Sequence, residues 1–395
     1  MRVELTESVT WVGKTDWELQ KFHGEEYSTF KGSSYNSYLV RDEKTVLIDT
    51  VYGPFGEEFV AGLERETDLD MIDYIVMNHC EVDHSGGLPE LMRRIPDVPI
   101  YCSAQAVKIL KGYYHSDWNF RVVKTGDTLS LGEKTLSFVS APMLHWPDSM
   151  FSYMDKENVL FSNDAFGHHL ASDLMFNDLV DQDELMNECI KYYANILTPF
   201  SKLVTKKINE IIAMNLPVDF IFPSHGIMWR DDPLQIVRKY LEWADDYQED
   251  QVTIIYDTMW NSTRDMAEAV AAGIRQANEH VVIKVLHVGQ RDKNDILTEI
   301  FRSKMVVAGC STINKGILSH MAGMLEMIHG LSFKKKKGAA FGSYGWSGES
   351  VKMISNSLAE AGIEVVADGL KTLWKPDDAG RRECEAYGRQ LADHL

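Results

Sequence analysis

Cysteine is scarce in this 395-residue chain: Cys80, Cys102, Cys189, Cys310 and Cys384 are odd in number, scattered, and never spaced as CxxC. That pattern excludes a disulfide framework and a thiolate-bound iron or zinc module, so any metal has to be held by histidine and carboxylate. Long hydrophobic runs are also missing. None approaches the ~20 residues a membrane helix needs, which argues against a membrane partner. Positive charge is short as well, with 40 Lys plus Arg against 59 Asp plus Glu and a net charge of −19. Such a chain repels phosphate backbones and anionic lipid, so nucleic acid is not an expected partner. The start, MRVELTESVTWVG, places acidic residues early and has no basic stretch leading into an apolar one. Neither a secretory signal nor a transit peptide is visible there, and a cytoplasmic location is expected.

What is present is ordinary for a globular protein, 45% hydrophobic and 25% charged residues. The length exceeds the size at which one core splits, so two domains are expected. Up to about residue 250, short apolar runs such as SYLV, TVLIDT, YIVMNH, VPIYCS, LSFVSA, NVLFSN and FIFPSH read as strands between Gly, Pro, Asp and Asn turns. Amphipathic stretches at 55–66, 104–113, 183–197 and 201–214 read as helices packed on a sheet. The acidic stretch ADDYQEDQ at 244–251 suits an exposed junction, which places one domain at 1–250 and a second at 251–395. From there five apolar strands alternate with helices, the rhythm of a parallel sheet buried on both faces. The Lys334 to Lys337 run, at a helix-to-strand turn, reads as a solvated edge.

Directly after the apolar strand at 74–77 comes Asn78-His79-Cys80-Glu81-Val82-Asp83-His84-Ser85-Gly86-Gly87. Four potential ligands fall within six residues. If this loop is extended, alternation sends His79, Glu81 and Asp83 to one side and His84 to another, so one segment can serve two adjacent metals. Cys80 is expected to point into packing. A lone histidine is most often a structural residue, but three further candidates end later apolar strands: His145 in APMLHWPDS, Asp164 in VLFSNDAFG and His225 in FIFPSHG. Each is followed by a turn residue, which places the polar group at a sheet edge.

The HxExDH run with its later His, Asp and His resembles the metallo-β-lactamase superfamily. Hydrolases of that superfamily commonly carry HxHxDH, whereas the second place here is Glu81. A carboxylate in place of an imidazole makes the site harder and more anionic, favouring iron over zinc. In this respect the chain resembles the flavodiiron proteins. That resemblance implies that His79, Glu81 and His145 bind one iron, that Asp83 and His225 bind the other, and that Asp164 bridges them. His84 matches a histidine that is a ligand in some members and swings away in others. The likeness extends to FHG at 22–24, LHWPDSM at 144–150, NDAFG at 163–167 and YYANI at 192–196. His23 and Tyr193 are expected either to line the gas pocket or to serve as structural hydrogen-bonding groups near it.

In the second half, Thr258-Met259-Trp260-Asn261-Ser262-Thr263 follows the first strand and opens a helix, and this resembles a flavodoxin phosphate loop. Hydroxyls and N–H groups at a helix N-terminus suit a phosphate, although alone such a turn is as often a simple cap. Its position in a doubly wound sheet favours FMN, which flavodoxin-like sheets bind at the carboxyl ends of their strands. Ser311-Thr312-Ile313-Asn314-Lys315-Gly316 follows the third strand, and Ser343-Tyr344-Gly345-Trp346-Ser347-Gly348 follows the fourth. Tyr344 or Trp346 is expected to cover the flavin face. Family members usually read SPT in the third-strand loop, where this chain has Cys310-Ser311-Thr312.

The resemblance covers essentially the whole chain. It implies a metallo-β-lactamase-like αββα sandwich followed by a flavodoxin-like doubly wound parallel five-stranded sheet, α/β and α+β in class. It further implies an FMN- and diiron-dependent oxidoreductase that takes dioxygen to water, nitric oxide to nitrous oxide, or both. With no CxxC pair near the C-terminus, electrons are expected from a separate donor, a rubredoxin or a reduced deazaflavin. A head-to-tail homodimer, or a dimer of such dimers, would set the flavin of one subunit beside the irons of the other. The alternative is a hydrolase of the same superfamily carrying an accessory flavodoxin domain, and Glu81 speaks against it. The residues choose neither the gas nor the donor.

Overall fold

The computed structural model describes residues 3–395, and the chain forms two compact units. The first comprises residues up to Tyr192 together with Phe200–Glu242; the second comprises Tyr193–Pro199 and Trp243–Leu395. Phe200–Glu242 thus closes the first unit, and Trp243 opens the last segment of the second. Trp243 packs against Tyr193 with the rings tilted and their centroids 5.6 Å apart, and Tyr247 stacks on Phe301, also at 5.6 Å. Aromatic burial of this kind draws the acidic stretch into the second unit instead of leaving it a free junction.

Among the described residues the first unit holds two larger sheets. One runs Val3–Glu4, Val9–Trp11, Tyr38–Arg41, Thr45–Ile48, Ile72–Met77, Ile100–Cys102, Phe120–Val122 in spatial order. The other runs Thr128–Ser130, Thr135–Ser140, Met150–Met154, Val159–Asn163, Phe220–Pro223. Period-2 alternation decides what each face meets. Tyr38, Val40, Val46, Ile48 and Val76 join Phe138, Phe161 and Phe222 in one core between the sheets. Their neighbours Leu39, Leu47, Ile75 and Met77 turn the other way, onto Phe59, Leu63, Leu91 and Leu110 of the helices Gly56–Glu66, Leu88–Arg94 and Ala104–Tyr114. Cys80 is buried in this second core, as its free-thiol character suggested. The third helix begins where the Ser103 side chain accepts from Ala106 N at 3.1 Å, satisfying one of the otherwise orphaned first-turn donors.

The second unit is a parallel sheet in the order Val282–His287, Gln251–Asp257, Met305–Cys310, Lys337–Tyr344, with the last position split between Glu364–Val365 and Leu370–Leu373. The chain reverses direction of growth at the first strand, and the crevice there is the ligand site of such sheets. Helices Ser262–Ala277 and Asp378–Ala392 lie side by side on one face. A Cβ on Gly273 would stand 2.0 Å from Glu385 O, and one on Gly388 2.2 Å from Val270 O, so these helices meet backbone to backbone. Lys336, expected on a solvated edge, is only 2% exposed. Its Nζ donates to the carbonyls of Phe301 and Ser303 at 2.7 Å and of Tyr247 at 3.2 Å. A hydrocarbon stem long enough to reach these carbonyls lets one member of a charged run serve the interior. No described helix is long and apolar enough to cross a membrane.

Candidate metal and flavin sites

Strand Ile72–Met77 delivers Asn78 and His79 at its carboxyl end, where Asn78 N donates to Asp49 Oδ1 at 2.8 Å. The following residues do not stay extended. Val82–Ser85 makes one helical turn, with Ser85 N and Gly86 N bonded back to Glu81 and Val82. The expected alternation is thereby broken: Asp83 and His84 project together, and Asp83 Oδ2 lies 3.0 Å from both His84 Nε2 and His225 Nε2.

Two groups of donors result, each with its atoms within 4.8 Å of one another: His79, Glu81, His145 and Asp164; and Asp83, His84 and His225. Asp164 stands between them. Its Oδ2 is 3.0 Å from His145 Nε2 and 3.5 Å from His79 Nε2, while its Oδ1 is 3.0 Å from His84 Nε2 and 3.7 Å from His225 Nε2. All seven residues from the sequence thus converge, and His84 is turned inward. Both carboxylate oxygens of Asp83, Oδ1 of Asp164, and Nε2 of His79 and His84 are buried without a hydrogen-bond partner. Orphaned groups of this kind are costly and call for an explanation. A pair of cations answers it, and the mixed imidazole and carboxylate donors fit iron.

Protons reveal the same field. Burial opposes ionisation of Glu81, yet hydrogen bonds from His23 and His79 hold its carboxyl down at about 2. For Asp83 and Asp164 burial is likewise outweighed, chiefly by the charge of His84, and both carboxyls stay well below the usual range. Burial also works against protonated His79, but Asp148, Glu81 and Asp164 raise it to about 10. The acidic donors collect positive charge wherever it is offered.

Several supports were not read from the sequence. Asp148 accepts from Cys80 N at 2.7 Å and lies 3.2 Å from His79 Nδ1, leaving Nε2 to face the cluster. His225 Nδ1 sits 2.6 Å from Ser34 O with the same effect. His23, expected near the pocket, does reach it, with Nε2 3.2 Å from Glu81 Oε1. Tyr193 does not belong to this wall. It lies in a π-helical stretch, Tyr193–Leu197, and packs on Trp243 and Phe301 of the second unit. Its neighbour Tyr192 turns into the first unit instead, 5.3 Å from the ring of His169, which is 4.8 Å from that of His225. The one-residue difference arises where the helix Gln182–Tyr192 ends and its face can no longer be extrapolated. No periodic signal marked Asp148 or His169, because each acts through a partner distant in the chain.

In the second unit a cavity of about 450 Å³ opens at the carboxyl edge of the sheet. Met259, Trp260, Ser262, Ser311, Thr312, Ser343, Tyr344, Gly345 and Trp346 line it, together with Trp374 and Lys375, which the sequence reading did not single out. Thr263 lies beneath, its Oγ1 2.9 Å from both Ser311 Oγ and Ser343 Oγ, so one hydroxyl ties the three loops. Thr258 Oγ1 is buried and unpaired. Asn261 takes a left-handed φ of 66° immediately before the helix. Ile313, Asn314 and Gly316 are outside the lining and form a turn of their own, closed by Gly316 N to Ile313 O at 2.7 Å. Ser347 and Gly348 also stand off it, Gly348 against the Tyr344 ring. Gly345 shows why glycine is needed: a Cβ there would meet the Trp374 indole at 2.8 Å. The volume and the polar-over-aromatic lining suit a single cofactor with a flat ring and an anionic tail.

Residues 34–226 match the family model described as ODP family beta lactamase, and residues 254–388 match the one described as Flavodoxin. The anaerobic nitric oxide reductase flavorubredoxin of Klebsiella pneumoniae is 55% identical over 394 residues, covering 99% of this chain and 82% of its own. The protein of the same name from Vibrio vulnificus is 54% identical over 394 residues, covering 99% and 80%. Among solved structures, the rubredoxin oxygen:oxidoreductase of Desulfovibrio gigas superposes with a TM-score of 0.96 at 36% identity, over 100% of this chain and 98% of that one. The flavodiiron protein of Giardia intestinalis does so at 0.94 and 31% identity, over 100% and 96%.

Proposed function

Because the chain belongs to the flavodiiron protein family, we propose that it is an FMN- and diiron-dependent reductase of nitric oxide, with dioxygen as a second substrate. The observation that carries this reading is Asp164, which offers one carboxylate oxygen to each of two donor groups, one buried and one partly so. Nitric oxide comes first because the relatives of 54–55% identity bear that activity in their names, whereas the oxygen reductase is 36% identical. A hydrolase with an accessory flavodoxin domain is the less favoured reading, since Glu81 supplies a carboxylate where an imidazole would suit zinc.

In this reading His79, Glu81 and His145 would hold one iron and Asp83, His84 and His225 the other, with Asp164 placed to serve both. When bound, iron and FMN would supply the redox chemistry by which the gas is reduced. The chain's own residues prepare the place. Asp148 and Ser34 fix the ring orientations of His79 and His225. His23 holds Glu81 and stands ready to share a proton with it. Phe22, whose ring is 5.5 Å from that of His225, and Trp146, 5.4 Å from His79, keep bulk water from the ligands. Thr258, whose buried Oγ1 has no partner, would take the FMN phosphate together with Ser262 of the cavity lining and the adjacent N–H groups, and Tyr344, Trp346 and Trp374 would take its ring.

A rubredoxin or a reduced deazaflavin is proposed as donor, a head-to-tail dimer as the working assembly and the cytoplasm as its location. The deciding experiment loads the protein with iron and FMN, reduces it, and follows nitric oxide and dioxygen consumption with each donor. Faster turnover of nitric oxide is expected. A zinc-containing preparation that consumes neither gas but cleaves thioesters or lactams would defeat the reading, and an active strict monomer in sedimentation would defeat the dimer.

A further inference from the structure

Lys375 lines the flavin cavity, yet it comes from the loop between the last strand, Leu370–Leu373, and the last helix, far in sequence from the phosphate loop. Its place follows from packing. Helices Ser262–Ala277 and Asp378–Ala392 both begin at the carboxyl edge of the sheet and touch through Gly273 and Gly388. Their N-termini therefore stand together, and each contributes positive dipole potential to the same end of the cavity.

Between these helix starts lies Asp265, 8% exposed, on the first turn after the phosphate loop. Three cations surround it: Lys375 Nζ at 3.5 Å and Arg381 Nη2 at 3.8 Å from Oδ2, and Arg264 Nη2 at 3.6 Å from Oδ1. One carboxylate cannot neutralise three cations, and Glu268, 3.8 Å from Arg264 Nε, takes up only one more. A positive charge is left over. Of the three side chains, Lys375 alone lines the cavity. A carboxylate so close to a phosphate loop would repel a dianion. Its use here is to bias the largely exposed lysine toward this end of the cavity, so that less rotamer entropy is lost when the ligand arrives.

We propose that Lys375 is the cation that recognises the flavin's phosphate ester, held beside the phosphate loop by Asp265. The inference rests on the cavity being the FMN site and adds a charged contact to a loop that otherwise offers hydroxyls and backbone N–H groups. It makes the chain selective for the phosphorylated flavin over riboflavin, two ligands that share ring and ribityl chain and differ in the phosphate alone.

The test strips flavin from the full-length, iron-loaded protein and titrates it with FMN and with riboflavin, reading binding by quenching of flavin fluorescence. Loss of one charge-assisted hydrogen bond predicts that Lys375→Met weakens FMN about tenfold. Riboflavin affinity is expected to move by less than roughly twofold, and Lys375→Arg to restore most of the FMN affinity, since either cation serves a phosphate. The FMN affinity of the natural chain should also fall more steeply with ionic strength than that of Lys375→Met. An unchanged FMN affinity in Lys375→Met, or equal losses for the two flavins, would overturn the assignment. Failure of the natural chain to bind either flavin would instead remove the cofactor reading on which it stands.

Discussion

Asp148 shows how much of a metal site lies outside its ligands. It is fully buried, takes the Cys80 N–H, and sets the tautomer of His79. Asp148→Asn keeps the shape but offers a weaker acceptor, and roughly 10–100-fold weaker metal affinity is expected. Iron per chain after dialysis against a graded chelator measures this; retention equal to the natural protein would refute it. Lys336 makes the corresponding case for stability. Lys336→Met removes the donor to the buried carbonyls of Phe301 and Ser303 and to the half-buried one of Tyr247, and a loss of about 3 kcal/mol is expected from the buried acceptors. A urea midpoint within error of the natural chain would show that water replaces the ammonium. Both residues lie in segments the sequence marks, LHWPDSM at 144–150 and the lysine run at 334–337, but neither role can be read there. Asp148 is one acid in an acidic chain, and Lys336 is one of four consecutive lysines, so their roles depend on what folds over them.

At the level of elements, strand ends were the most legible feature. His145, Asp164 and His225 each follow an apolar run that stops at a turn, and the structure gathers them because strands of one sheet end along one edge. The short turn Val82–Ser85 was not legible, since a four-residue helix has no period to read, and so the directions of Asp83 and His84 came out differently from simple alternation. The flavin loops after the first, third and fourth strands were anticipated for the same reason as the metal ligands. Trp374 and Lys375 escaped because the fifth strand is broken into pieces of two and four residues, too short to announce a loop. The final helix has its own vulnerability. Gly273→Ala would thrust a methyl into the backbone of Glu385, and overpacking of about 1–3 kcal/mol is expected. A melting temperature unchanged in calorimetry would mean that the two helices can part without cost.

For the molecule as a whole, metal and protons compete for one acidic centre. In metal-free protein His79 has its folded pKa raised from 6.5 to about 10. The folded state then holds a proton the unfolded chain releases, so this contribution is complete below about pH 6.5 and is lost as pH rises toward about 10. Metal-free protein should therefore melt progressively lower from pH 6.5 to 10, while the iron-loaded form, whose imidazoles are already neutral ligands, should change far less. Calorimetry of both forms across that range decides it; parallel curves would contradict it. A last consequence comes from Asp164, which gives one oxygen to each donor group. An ion on one side alone would leave the other oxygen committed in direction but unanswered in charge, sharing His84 Nε2 with the Asp83 carboxylate, each at 3.0 Å. Occupancy is then cooperative rather than a matter of two separate affinities: intermediates with a single ion should be rare, and native mass spectrometry during an iron titration should show molecules with none or two, with the singly occupied mass never dominant.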